Sequence, residues 1–99
     1  MVIIGITAYP LESSGEVGKR LKEQPPLPAY ITLKGPYLTA EAGVGIKSIA
    51  LYEFDQSKTR EALDSVYNRY IKYIGIPGFT YSIQPWLEAK EALKMIGLA

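Results

Sequence analysis

The chain has no cysteine and no histidine among its 99 residues. Without cysteine there is no disulfide, no thiol nucleophile and no thiolate to hold a metal. Without histidine every mechanism that needs an imidazole base is excluded, and the usual zinc sites go with it. A carboxylate-only metal site would need clustered acids, and the ten Asp and Glu residues do not group at ligand spacing. No metal or cofactor is therefore expected. An excess of one charge sign is also missing. Eleven Lys and Arg against ten Asp and Glu leave a net charge of +1, too weak a field to hold nucleic acid or an anionic membrane. No apolar run is long enough to cross a bilayer. The opening run Val2-Ile3-Ile4-Gly5-Ile6 has no basic segment before it, so no leader is read there, and a reducing cytoplasm is the expected location.

What the chain does contain is apolar material spread along its whole length, 47% of all residues, which suits one domain over residues 1–99 with a real core. A domain of this size buries only about 60–70% of its unfolded surface, so a partner chain would help it.

Residues 2–9 are apolar and β-branched at both phases of the alternation, the pattern of a central strand covered on two sides. Pro10 ends that strand, and Ser13 with Glu16 has capping-box spacing for a helix running to about Gln24, where Pro25, Pro26 and Pro28 stop it. A second strand is predicted over 30–37, interrupted by Gly35-Pro36 and so placed at a sheet edge. A loop over 39–45 then joins it in a hairpin to a third strand over 46–54. Asp55 or Ser57 caps the most regular helix, with apolar positions at Ala62, Leu63, Val66, Tyr67, Tyr70, Ile71 and Ile74 and a stop at Gly75 and Pro77. A fourth strand is predicted over 79–84 and a last helix over 86–96, carrying Trp86, Ala89, Leu93 and Ile96 on one side.

This β-α-β-β-α-β order predicts an α+β, ferredoxin-like domain. It has a four-stranded antiparallel sheet, two helices on one face and an extra C-terminal helix. The other sheet face is left for something else to cover.

The stretch from Lys47 to Leu63 resembles the third strand and second helix of an RNA-recognition domain, with Lys47 at the basic position, Ala50 at the small one and Phe54 as the closing aromatic. The two base-stacking positions fall on Ile49 and Leu51, and Ser48 stands where that family has glycine. With no rings to stack bases, RNA binding does not carry over. The same alignment sets Ile49 and Leu51, together with Ile3, on the open sheet face as oligomer-interface candidates, because a monomer rarely leaves such a patch to water. Element order, length and two-faced strands then resemble the dimeric α+β barrel superfamily. That likeness implies a homo-dimer or higher homo-oligomer packed sheet against sheet, and a role either in small-molecule enzymes or in non-catalytic ligand-sensing modules.

The candidate ligand-binding residues are Tyr9, Lys34, Tyr37, Tyr52, Tyr81 and Trp86, which combine apolar surface with a few polar tips. They are expected around a pocket between the open face and its cover. Lacking His and Cys, any reaction would use tyrosine, lysine or carboxylate as its acid or base, and no catalytic residue stands out. Two roles stay open from sequence. One is a small-molecule-binding oligomer with isomerase- or cyclase-like chemistry and no cofactor; the other is a non-catalytic assembly or interaction subunit.

Overall fold

The computed structural model describes residues 1–98. In chain order they form β1 (Val2–Tyr9), α1 (Ser14–Lys22), β2 (Thr32–Glu41), β3 (Gly45–Glu53), α2 (Thr59–Ile71), β4 (Thr80–Trp86) and α3 (Ala89–Met95). Single 3-10 turns at Leu11–Ser13 and Gln56–Lys58 lead into α1 and α2. The strands make one antiparallel sheet in the order β2-β3-β1-β4. This is the expected α+β architecture with a C-terminal helix added.

Register decides which residue meets which layer. Ile3, Gly5 and Thr7 on β1 lie opposite Tyr52, Ala50 and Ser48 on β3, and opposite Pro85, Ile83 and Tyr81 on β4. This set faces the helices. Ile3 and Val66 are fully buried and gather Ile31, Ala50, Tyr52, Phe54, Ala62, Tyr70 and Ile83 into the main core, each large aliphatic stabilising by about 1.5–3 kcal/mol. A smaller cluster of Tyr9, Val17, Tyr73 and Ile76 fixes α1. Arg20 adds to it by donating to the carbonyls of Lys72 and Ile74 at 3.0 and 2.7 Å, beyond the end of α2. Both long helices therefore cover one side of the sheet.

Several boundaries differ from the sequence reading, each for a local reason. Ser13 does not cap α1; it ends the 3-10 turn and its hydroxyl donates to the Pro77 carbonyl at 2.7 Å, while Glu16 pairs with Arg20 one turn on. Asp55 caps the 3-10 turn that leads into α2, accepting from the Ser57 amide, and α2 itself starts at Thr59 behind Lys58. β2 runs through Gly35-Pro36 and on to Glu41, because a register shift between Lys34 and Tyr37 absorbs the proline at an edge that has no outer partner to lose. The hairpin turn thus shrinks to Ala42–Val44. β4 likewise passes through Pro85, also on an edge strand, so Trp86 ends a strand and α3 begins three residues later behind a Glu88/Glu91 capping box. α2 ends at Ile71, and Tyr67, read as a core residue, is 43% exposed. The largest correction concerns Ile3. It is 0% exposed and belongs to the helix-facing core, one strand phase away from the open face where it was expected.

Candidate functional site

Between the sheet and its helices lies a cavity of about 80 Å³. Thr7 and Ser48, opposite one another on β1 and β3, form its floor and hydrogen-bond through their hydroxyls. Its walls are the rings of Tyr9, Tyr52, Tyr70, Tyr73 and Phe79 with the side chain of Val17. Leu21, Pro36 and Leu38, all exposed, rim the mouth between α1 and the β2–β3 hairpin. The rings hold each other. Tyr73 and Phe79 stack at 4.9 Å, Tyr70 meets Tyr52 and Tyr73 edge-on, and the Tyr52 and Tyr70 hydroxyls are 3.3 Å apart. Such pairs contribute about 0.5–1.5 kcal/mol each beyond their burial. Gly5 makes the arrangement possible, since a Cβ there would stand 2.1 Å from the Tyr70 hydroxyl oxygen.

The cavity is mostly apolar, and hydroxyls supply most of its few polar groups. Burial raises the pKa of the Tyr70 hydroxyl far above its ordinary value, with help from neighbouring Tyr52, and burial also raises those of Tyr9 and Tyr73. These phenols are therefore neutral hydrogen-bonding groups around pH 7 and poor bases. Arg69 is the one cation in the lining, and its guanidinium is committed to the Pro25 carbonyl at 2.8 Å. Among the described residues no group of acidic side chains could hold a metal ion.

The same pKa shifts link stability to pH. Phenols raised in the folded state contribute stability that is complete below the unfolded value of about 10 and is lost as pH rises through the folded values. Phenolate absorbance should therefore show Tyr9, Tyr70 and Tyr73 titrating late, together with alkaline unfolding, and Tyr70→Phe should remove one group from that late phase. Eight tyrosines ionising together near pH 10 in the folded protein would contradict the burial described here.

The opposite sheet face is a grid without cover. Its rows read Thr32–Glu53–Val2–Trp86, Lys34–Leu51–Ile4–Gln84, Tyr37–Ile49–Ile6–Ser82 and Thr39–Lys47–Ala8–Thr80 across β2, β3, β1 and β4. Ile4, Ile6, Ile49 and Leu51 form an apolar centre, flanked by Tyr37 and Trp86. The charges at the rim are already paired within the chain, Lys34 with Glu53 at 3.2 Å and Lys47 with Glu41 at 3.8 Å.

The six residues read from sequence as one pocket divide between these two sides. Tyr9 and Tyr52 line the cavity, and Tyr81 stands beside it against the Tyr70 ring, 5.7 Å between centroids. Lys34, Tyr37 and Trp86 are exposed on the other face. One hollow, of about 80 Å³, is thus on the helix side, and a second, wider one of about 330 Å³ lies on the open face against Ile6, Tyr37, Lys47 and Ile49. Of the three interface candidates, Ile49 and Leu51 are on the open face and Ile3 is not. Thr7, Ser48 and Tyr70 were missed as site residues. A usable signal existed for Thr7, a hydroxyl in the buried phase of an otherwise apolar strand. For Tyr70, helical spacing gave burial correctly and left its hydroxyl out of view.

No helix among the described residues is long and apolar enough to cross a membrane. Compared with known proteins, the chain matches no family model, no curated protein and no solved structure, so its functional reading rests on this geometry.

Proposed function

We propose that this chain is a small-molecule-binding α+β domain that works as a homo-oligomer of the dimeric α+β barrel kind, in the cytoplasm. The ligand occupies the helix-side cavity, and the open sheet face is given to another copy. The observation that carries this reading is a ring-walled cavity, open at one mouth, with uncharged hydroxyls on its floor. A few convergent polar groups in an apolar enclosure are the usual make-up of a ligand site. Its chemistry selects a compact, neutral, largely apolar molecule carrying one or two oxygens. Hydroxyls held neutral can orient a carbonyl, which suits isomerase- or cyclase-like chemistry better than proton abstraction by a phenolate. The small volume favours a second reading, a non-catalytic assembly subunit whose cavity is a packing gap.

A thermal-shift screen with phenol, benzaldehyde and cyclohexanone separates the two. A ligand at 100 times its Kd adds about 2.7 kcal/mol, a rise of roughly 10 °C or more in a domain this small. Leu21→Trp, which closes the mouth at a position exposed to solvent, should abolish the shift. A shift that survives Leu21→Trp would place the ligand elsewhere, and silence across all three probes would leave the assembly subunit as the reading.

A further inference from the structure

Two pairs of hydroxyls meet in the helix-side cavity, and each pair has one hydrogen to spare. Thr7 bonds Ser48, and the Tyr52 hydroxyl lies 3.3 Å from that of Tyr70. A hydroxyl carries one hydrogen and two lone pairs. When two of them bond to each other, one hydrogen is spent and one is left. Among the described residues none of these four hydroxyls has a further hydrogen-bond partner. All four residues line the cavity, and Thr7, Tyr52 and Tyr70 are buried. A buried donor without an acceptor is costly, so each spare hydrogen is matched by an oxygen brought in from outside.

Strand register sets the distance between the two points. The Tyr70 hydroxyl rests on Gly5, 2.1 Å from where a Cβ would stand. Thr7 is two residues further along β1 on the same buried side, and two residues of strand advance about 7 Å. Gly5–Ala50 and Thr7–Ser48 are successive rows of that side, so no other side chain of β1 or β3 stands between the points. Both lie close to the sheet, one because threonine and serine are short, the other because the Tyr70 oxygen comes down to Cβ height.

Resting on the cavity reading above, we propose that the site recognises a small neutral dicarbonyl compound, a ring with oxygens on opposite carbons, held at one end by the Thr7–Ser48 pair and at the other by the Tyr52–Tyr70 pair. A ring lying flat between the two points offers an oxygen to each when the oxygens are on opposite carbons. Carbonyl oxygens accept and carry no hydrogen of their own, which suits a lining that has hydrogens to spare. A carboxylate finds no free cation here, since Arg69 is engaged by the Pro25 carbonyl. The stacked rings of Tyr73 and Phe79 supply apolar wall for the body of the molecule.

Calorimetry with cyclohexane-1,4-dione and cyclohexanone on the intact chain reads the second contact. One net hydrogen bond is worth about fivefold in affinity, and up to about twelvefold, so the dione should bind tighter by that factor. Thr7→Val with Ser48→Ala removes one pair whole, leaving no lone polar group behind, and so costs the fold little. In that variant the dione should keep no more than the statistical advantage of its two equivalent ends. Tyr52→Phe with Tyr70→Phe should do the same from the other end. If the wild type binds both ketones alike, or the preference survives in either double variant, the two-point site is wrong and the cavity reading stands on cyclohexanone alone. If neither ketone binds, the cavity reading itself fails and takes the dicarbonyl with it.

Discussion

Gly5→Val is expected to be among the most damaging single substitutions in the chain. Even the first atom added, a Cβ, falls 2.1 Å from the Tyr70 hydroxyl oxygen and 2.8 Å from its ring carbon Cζ. Tyr70 cannot step aside easily. It is 5% exposed and sits among Tyr52, Tyr73 and Tyr81. Overpacking a dense interior typically costs about 1–3 kcal/mol and sometimes more, against a total stability of about 5–15 kcal/mol for a domain. Gly5→Ala should lower the denaturant midpoint by an amount within that range, and Gly5→Val by more. Removing the clashing oxygen supplies the test. In the Gly5→Ala background, Tyr70→Phe should recover part of the loss, although in the wild type it removes a hydrogen bond. A double-mutant cycle with no coupling would mean that the ring does not rest on Gly5.

The fold was legible in the sequence because its elements are separated by strong local signals. Pro10, the Pro25–Pro28 run, Asp55, and Gly75 with Pro77 all lie at or near real boundaries. The misreadings come from the same residues in another setting. Pro36 was read as an interruption that places its strand at a sheet edge, and β2 is an edge; Pro85 was taken as a stop, yet it too lies within an edge strand, where a missing amide on the outer side costs no ladder bond. Which strands are edges is a property of the sheet, and no local pattern in β4 reveals it. The phase of β1 was illegible for a related reason. With Ile3, Ile4 and Ile6 all aliphatic, alternation cannot say which set meets the helices. Thr7 and Gly5 hold the answer only once Tyr70 is known to lie over them. The cavity was partly visible, in Tyr9 and Tyr52, but residues far apart in sequence converge through strand register, and Lys34, Tyr37 and Trp86 share chemistry with those tyrosines without sharing their side of the sheet.

Placing the same charge on the two faces of the sheet should give opposite failures. Ile3→Glu puts a carboxylate into a core position with no exposed surface and no cation nearby in the cluster. An unpaired buried charge costs several kcal/mol, so this variant should be unfolded at every concentration, with its circular dichroism lost. Ile49 starts 38% exposed within a single copy, and a glutamate there can keep its charge in water. Ile49→Glu should therefore retain the far-ultraviolet spectrum of the wild type and a cooperative melt. Its cost appears only when a second copy covers the face, and there it equals the desolvation of two carboxylates, one from each subunit of a twofold pair. Light scattering at micromolar concentration should then return a mass near the 11.0 kDa of one chain, where the wild type returns a multiple of it. If Ile49→Glu is as assembled as the wild type, the open face is not the interface, and the apolar centre formed with Ile4, Ile6 and Leu51 needs another occupant. If instead it unfolds like Ile3→Glu even when dilute, the face is already needed within one chain, and the division of the sheet into a helix side and a partner side is wrong.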